Sequence, residues 1–133
     1  MKRFERANIM ILYDFEYERP SSLQEATALL SETGEGAKLL AGGTDLMPNM
    51  RVEVITPSLL VSLSAIEAVA PEKSTDGSIK IDALIKLSDL VDDELIRREL
   101  PMLAEAAHTV AGNQVRVMGT LGGNLCQESR CLY

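Results

Sequence analysis

The sequence predicts an α+β fold, a mixed α/β domain in which helices and short strands alternate. Two observations carry this prediction. Apolar residues recur at helical spacing in some segments, whereas other segments are short apolar runs bounded by proline, glycine or polar residues. The 133 residues are also 46% hydrophobic and 25% charged, which is an ordinary composition for a globular protein. A chain of this length is enough for one domain.

The first predicted helix opens after Pro20. Ser22 and Glu25 have the spacing of a capping box, in which each side chain satisfies an unpaired N–H group of the first turn. Gly34 or Gly36 ends this helix. Its apolar residues fall on one face, and they are Leu23, Ala26, Leu29 and Leu30.

Two short strands are predicted in the next part of the chain. Residues 38–41 form a buried strand that runs into a glycine-rich loop. A helical turn follows from Asp45, and Pro48 limits its length. The apolar run 59–63 predicts the second strand.

The following segment predicts a hairpin and a helix. Asp76-Gly77 is a strong signal for a hairpin turn, and residues 79–85 alternate as in a half-buried strand. Ser88 is placed to cap a helical stretch that runs toward Leu100.

The last predicted helix begins at Pro101, because proline suits the first turn of a helix. Gly112 is expected at its C-terminal cap. The apolar face of this helix is formed by Met102, Leu103, Ala106, Ala107 and Val110. A second glycine-rich loop comes next.

The two glycine loops are the candidate binding site. Glycine lets backbone N–H groups close on an anion without steric cost, and successive N–H groups form a concave anion site. Two such loops suggest a diphosphate held between them, and hence a dinucleotide cofactor. Neither loop is a G-x-G-x-x-G or Walker motif. The loops are Leu39-Leu40-Ala41-Gly42-Gly43-Thr44-Asp45-Leu46 and Thr120-Leu121-Gly122-Gly123-Asn124.

Each loop has an alternative interpretation as a plain turn, because paired glycines are common in turns. In the first loop, Thr44 adds a hydroxyl donor, and Asp45 is expected to cap a helical turn rather than to approach a phosphate of like charge. In the second, Thr120 and Asn124 can donate to phosphate or ribityl oxygens. The pair is more specific than either loop, because both must converge on one site.

Other chemistry-bearing residues are few. Cys126 and Cys131 have a C-x4-C spacing, and thiolates suit iron–sulfur clusters or zinc, but the spacing alone favours two buried or free thiols. His108 is the only histidine, and it is expected to be an ordinary helical residue. The acidic run 92–94 is interpreted as a solvated helix start. No catalytic residue is predicted, since no nucleophile motif is present.

Charge and hydropathy restrict the partners. The net charge of −7 argues against binding to nucleic acid or to anionic membranes. No apolar run is long enough to span a bilayer, and no signal-peptide pattern is found, so a cytoplasmic location is expected. Residues 1–9 are expected to be a disordered or misassigned extension before a start at Met10.

The two loops and the segment before the second resemble the FAD-binding subunit of the molybdenum hydroxylases, the xanthine dehydrogenase and carbon monoxide dehydrogenase group. The matching segments are 38–46, 111–116 and 120–125. The resemblance implies that residues 10–133 are the N-terminal part of a PCMH-type (vanillyl-alcohol-oxidase-like) FAD-binding domain, truncated at its C-terminus. It also implies that FAD is clasped by the two loops, with Val110 near the adenine.

Within that family, residues 123–131 look most like the beta subunit of 4-hydroxybenzoyl-CoA reductase. This resemblance implies an extra 4Fe-4S iron–sulfur cluster, with Cys131 as one ligand, Cys126 as none, and the other ligands outside this chain. The implied partners are a molybdopterin-binding catalytic subunit, a subunit with 2Fe-2S clusters, and a downstream chain that completes the FAD domain. The implied function is electron transfer by a flavin-dependent oxidoreductase subunit that is inactive alone. A cofactor-free assembly module and a stand-alone flavin enzyme are the alternatives.

Overall fold

The structure, a computed structural model, describes residues 12–127. Its strands are β1 (Glu16–Glu18), β2 (Ala37–Leu40), β3 (Leu59–Ser62), β4 (Glu72–Lys73) and β5 (Ile79–Lys80). Its helices are α1 (Leu23–Thr33), α2 (Leu46–Arg51), α3 (Leu87–Asp92), α4 (Glu94–Glu99), α5 (Pro101–Thr109), α6 (Asn113–Arg116) and α7 (Leu121–Leu125). A single 3₁₀ turn, Gly34–Gly36, joins α1 to β2. The predicted mixture of helices and strands is confirmed.

A three-stranded parallel sheet and a small hairpin form the β structure. The sheet has the order β1-β3-β2, with Leu60 of β3 opposite Tyr17 of β1 and Lys38 of β2. All four residues of β3 are buried, which explains why this strand reads as a continuous apolar run. β4 and β5 pair antiparallel across the predicted Asp76-Gly77 turn, so the hairpin is confirmed.

Two hydrophobic clusters hold these layers together. One packs α1 on the sheet and includes Ala26, Leu59 and Val61. The other joins α3, α4 and α5 and includes Leu90 and Ile96, both without exposed surface. The glycine motifs lie on chain segments that connect the two clusters. The packing of both clusters therefore positions the glycine motifs.

The start of α1 differs in detail from the predicted capping box. The Ser22 hydroxyl accepts from the Glu25 N–H, as predicted. The Glu25 carboxylate, however, accepts from the N–H and the hydroxyl of Ser21, at 2.8 and 2.9 Å. Gly34 ends the helix with φ +67°, and of the predicted apolar face only Ala26 is fully buried, whereas Leu23 is exposed.

The predicted buried strand 38–41 is only partly correct. β2 begins one residue earlier, at Ala37, and lies at an edge of the sheet. Leu39 keeps 45% of its surface exposed, and no strand pairs with the outer edge of β2 within the described part of the chain. Pro48 does not end α2, since it lies in the first turn, where no intrahelical N–H is needed.

The predicted strand 79–85 ends at Lys80. The Asp82 carboxylate accepts from the Leu84 N–H at 2.8 Å, and this bond forms a local turn that competes with the strand. It also accepts from the Val69 N–H at 3.0 Å, thirteen residues away in the sequence. The helix predicted from Ser88 begins at Leu87 and breaks at Asp93, whose carboxylate caps α4 by accepting from the Ile96 N–H.

The predicted end of α5 lies two residues beyond the observed one. Its C-terminal cap is Val110, and Gly112 instead precedes α6. His108 is exposed in the last turn of α5, and residues 12–127 contain no cluster of side chains that could hold a metal ion. No helix in the same range is long and apolar enough to cross a membrane.

Candidate functional site

The two glycine motifs lie against each other. A Cβ atom added to Gly42 would overlap the carbonyl oxygen of Met118 and lie 2.9 Å from the Cα of Gly119. A Cβ on Gly123 would lie 3.9 Å from that of Ala41. The convergence that the sequence predicts is therefore present in the structure.

A groove of about 720 Å³ runs between the two motifs, a size typical of ligand sites. All residues predicted to bind the cofactor line this groove except Leu40. The Leu40 side chain instead supports the first motif, since its Cδ1 would lie 3.2 Å from a Cβ on Gly43. The charged side chains that line the groove are Lys38 and Asp45, and most of the other lining residues are apolar.

The first motif is a true loop that presents backbone donors. Gly43 has φ +71°, a left-handed conformation that favours glycine. The N–H groups of Gly42, Gly43 and Thr44 donate no hydrogen bond within residues 12–127. Three consecutive N–H groups beside a left-handed residue match the concave arrangement that binds anions.

The second motif is a helix start rather than the predicted loop. Thr120 is the N-cap of α7, and its hydroxyl accepts from the Gly123 N–H at 3.1 Å. The N–H of Gly122 donates to the Ala83 carbonyl at 2.8 Å, and that of Asn124 to the Thr120 carbonyl at 2.9 Å. This motif therefore contributes side-chain donors, because its backbone N–H groups are already bonded.

Thr120 and Asn124 supply those donors from different environments. Thr120 is only 3% exposed, yet its hydroxyl keeps a hydrogen to donate after accepting from Gly123. Asn124 also lines the groove, and its side-chain amide has two hydrogens to donate. The second motif can therefore add up to three donor hydrogens to the backbone donors of the first.

Asp45 occupies the N-cap position of α2, as expected. Contrary to the prediction, its side chain does not cap the helix. Its carboxylate accepts from the side-chain amide of Asn49 at 3.2 Å, and Asn49 is 3% exposed. The carboxylate is therefore engaged by a buried amide at the base of α2.

The opposite wall of the groove comes from the corner between α5 and α6. Val110 and Ala111 line it, and Ala111 has φ +44°. Arg116 donates to the carbonyl oxygens of both residues, at 3.0 and 2.8 Å. The resemblance named Val110 as a site residue and included Ala111 and Arg116 in a matching segment. No role was predicted for these two residues, because no local pattern marks a left-handed alanine.

Other lining residues were also missed. Gly119 is buried beside the Thr44 hydroxyl, and Ala83 is in contact with Gly122. The glycine at position 119, next to Thr120, is the one signal that could have identified this close approach. Cys126 is an exposed free thiol that lines the groove, and Cys131 lies outside the described residues.

Fold and groove together define a mixed α/β domain with a largely apolar cleft that includes a glycine loop whose N–H groups donate to no acceptor in residues 12–127. Residues 13–131 match the family described as the FAD binding domain in molybdopterin dehydrogenase. This match covers most of the chain, and the chain belongs to that family.

Curated relatives agree with this assignment. The chain is 39% identical over 116 residues to the carbon monoxide dehydrogenase medium chain of Hydrogenophaga pseudoflava, covering 87% of this chain and 40% of that one. It is 34% identical over 117 residues to the xanthine dehydrogenase FAD-binding subunit of Escherichia coli, covering 86% and 40%. These relatives are subunits of oxidoreductases.

A solved structure shows the same fold. A chain in the structure of carbon monoxide dehydrogenase from Hydrogenophaga pseudoflava lacking the Mo-pyranopterin moiety superposes with a TM-score of 0.82, at 39% identity over 86% of this chain and 40% of that chain. The chain thus spans about two fifths of the length of the relatives it matches.

Proposed function

We propose that the groove binds FAD and that the chain is the FAD-binding electron-transfer part of a molybdenum hydroxylase-type oxidoreductase. The observation that carries the proposal is the row of N–H groups on Gly42, Gly43 and Thr44, which donate to no acceptor in residues 12–127 and line a groove of cofactor size. A diphosphate is the part of FAD that needs such donors. The family match supports the choice of a flavin dinucleotide.

The proposed roles follow from the groups that each residue presents. The backbone of Gly42 and Gly43 donates to the diphosphate, and the Thr44 N–H and hydroxyl add two donors at its edge. Thr120 and Asn124 donate through side chains to phosphate or ribityl oxygens. Apolar residues such as Leu39 and Val110 cover the ring systems. FAD supplies the redox chemistry when bound, and the protein binds and orients it.

The remaining predicted residues have supporting roles in this proposal. Ala41 and Leu46 flank the glycine loop in the groove, and Gly122 permits the close contact with Ala83 that sets the start of α7. Asp45 holds α2 through Asn49. The Leu40 side chain supports the glycine loop from outside the groove, next to Gly43.

We also propose that residues 10–133 form the N-terminal part of a PCMH-type domain. The coverage of about two fifths of the relatives supports this division, since a longer flavoprotein subunit would carry further segments around the cofactor. The exposed apolar side chains Leu39, Met118 and Leu125 are available for such segments to cover.

The proposed partners are a molybdopterin-binding catalytic subunit and a subunit with 2Fe-2S clusters. Support comes from the relatives' designation as medium chain or FAD-binding subunit, which denotes one subunit among several.

A reductase of the 4-hydroxybenzoyl-CoA type is the proposed specific enzyme, with Cys131 as a ligand of a 4Fe-4S cluster. Only the sequence of residues 123–131 supports this finer proposal. Iron and sulfide analysis of the natively purified complex tests it. A Cys131→Ala variant that loses four irons per complex supports it, and unchanged iron content contradicts it.

FAD titration of two matched glycine variants tests the main proposal. Gly43 and Gly77 both have positive φ, +71° and +87°, so alanine strains the backbone similarly at each. Gly77 lies in the β4–β5 turn and does not line the groove. We expect Gly43→Ala to weaken FAD binding by about tenfold, because a Cβ disfavours the left-handed backbone that directs the loop N–H groups into the groove, at a cost of about 1–2 kcal/mol.

Gly77→Ala should bind FAD as the wild-type chain does. A wild-type chain that binds no FAD would overturn the proposal and favour the alternative of a cofactor-free assembly module. If Gly43→Ala binds FAD as tightly as Gly77→Ala and the wild-type chain do, the first glycine loop does not hold the diphosphate.

A further inference from the structure

Arg116 holds the corner between α5 and α6. Its Nη1 donates to the carbonyl oxygen of Val110 at 3.0 Å and to that of Ala111 at 2.8 Å. Nη1 carries two hydrogens, so each carbonyl can receive one of them. Because the guanidinium is always charged, both are charge-assisted hydrogen bonds.

The corner needs such a restraint. Ala111 adopts φ +44°, a left-handed conformation that is unfavourable for any residue with a Cβ. Ala111 is exposed, and no packing in the buried core fixes it. Its neighbour Val110 packs against the α3–α5 cluster. The hydrogen bonds from Arg116 therefore fix the backbone at Ala111, which the packing of the core does not hold.

Arg116 is also connected through α6 to the first glycine loop. It is the last residue of α6, and the preceding Val115 accepts through its carbonyl from the N–H groups of Met118 and Gly119. Gly119 is in turn next to the first glycine loop, with the Thr44 hydroxyl 3.4 Å from the position of a Cβ. One short helix thus connects the Val110–Ala111 wall to the glycine loops.

We propose that Arg116 is a positioning residue for the cofactor, a role that rests on the proposed FAD site. The guanidinium does not line the groove. It acts through the two carbonyl oxygens, which it holds so that Val110 and Ala111 present a fixed apolar wall to the bound flavin nucleotide. When the corner leaves this arrangement, the groove loses one wall and FAD binds weakly.

FAD titrations of Arg116→Met, Arg116→Lys and Arg97→Met test this role in the full 133-residue chain. Arg97 is exposed on α4 and does not line the groove, so Arg97→Met removes the same charge elsewhere. If loss of the restraint leaves the corner in its binding arrangement about a tenth of the time, the apparent FAD affinity falls about tenfold. We expect that loss in Arg116→Met, with a cooperative unfolding transition that shows the variant to be folded.

The lysine variant provides a rescue that a purely structural role would not show. Its ammonium can donate to one or both carbonyls without the planar geometry of the guanidinium, so we expect an FAD affinity between those of the wild-type and methionine variants. Because lysine keeps the charge and most of the length, it also keeps the test informative if Arg116→Met fails to fold.

Amide hydrogen exchange of Val110 without flavin is the second readout, because its N–H donates to the Ala107 carbonyl at 3.2 Å. We expect faster exchange there in Arg116→Met, and no change in Arg97→Met. Equal FAD affinity of Arg116→Met and wild type would overturn the positioning role while leaving the FAD site intact. Failure of the wild-type chain to bind FAD would overturn the FAD site and this role with it, whatever the exchange result.

Discussion

Gly42 packs its α-carbon directly against the peptide between Met118 and Gly119, so that a Cβ on Gly42 would overlap the Met118 carbonyl oxygen. This contact joins two segments that lie more than seventy residues apart in the sequence. It explains why the first glycine of the pair is needed for close approach, whereas the second, Gly43, is needed for its left-handed backbone.

Gly42→Ala should therefore destabilise the fold. The atom that it meets is backbone and cannot rotate away, so we expect a loss of about 1–3 kcal/mol in the free energy of unfolding, as for overpacked sites. Urea denaturation measures it. Gly112→Ser is the control, because Gly112 is an exposed N-cap where serine is favoured. A Gly42→Ala chain as stable as wild type would contradict the close contact.

Asp93 should stabilise the break between α3 and α4. Its carboxylate accepts from the Ile96 N–H at 2.9 Å, so Asp93→Ala should cost about 1 kcal/mol of stability, a usual value for a lost N-cap. Asp93→Asn should keep most of this stability. Asp92→Ala removes the same charge one residue earlier, and thermal unfolding should show no comparable loss. Equal destabilisation by the two alanine variants would contradict the capping role.

Glu25 should make the stability of the fold depend on acid pH. Hydrogen bonds from the N–H and hydroxyl of Ser21 lower the pKa of Glu25 below its ordinary value of 4.5. A lowered folded-state pKa stabilises the fold above the unfolded value, and this contribution is lost as pH falls through the folded value. The Glu25→Gln substitution removes this pH-dependent contribution to stability.

Urea denaturation between about pH 6 and about pH 3 measures this effect. The stability difference between wild type and Glu25→Gln should shrink toward low pH. Ser31→Ala is the control, because the Ser31 hydroxyl donates to the Thr27 carbonyl in the same helix and not to a carboxylate. A stability difference that is constant over this range would disprove the contribution of Glu25.

Asn124 should contribute to FAD affinity but little to stability. Its side-chain amide lines the groove, and its backbone N–H bonds to the Thr120 carbonyl whatever the side chain is. We expect Asn124→Ala to weaken FAD binding by about fivefold to tenfold, the usual cost of one hydrogen bond. Asn113→Ala, at an exposed position of α6, is the control for calorimetric titration. Unchanged affinity in Asn124→Ala would remove this residue from the site.

Local patterns predicted the elements whose signals are contained within a few residues. Ser22, Asp76-Gly77 and Pro101 mark a cap, a turn and a helix start, and all three are found where the sequence places them. The buried strand 59–63 was equally clear, because both faces of β3 are covered.

Elements that depend on tertiary contacts were missed. Residues 79–85 alternate like a strand, yet the Asp82 carboxylate bonds to Val69, thirteen residues away, and ends β5. The second glycine motif reads as a loop, but Ala83 and Ile85 accept its N–H groups and fix it as the start of α7. The left-handed Ala111 depends on Arg116, a contact that no local pattern reports.

Amide hydrogen exchange with and without FAD tests the central claim most directly. Without FAD, the amides of Gly42, Gly43 and Thr44 should exchange quickly, whereas those of Gly122 and Gly123, which are already bonded, should exchange more slowly. Saturating FAD should protect the first three amides from exchange. Exchange at Gly42, Gly43 and Thr44 that stays unchanged under saturating FAD would contradict it.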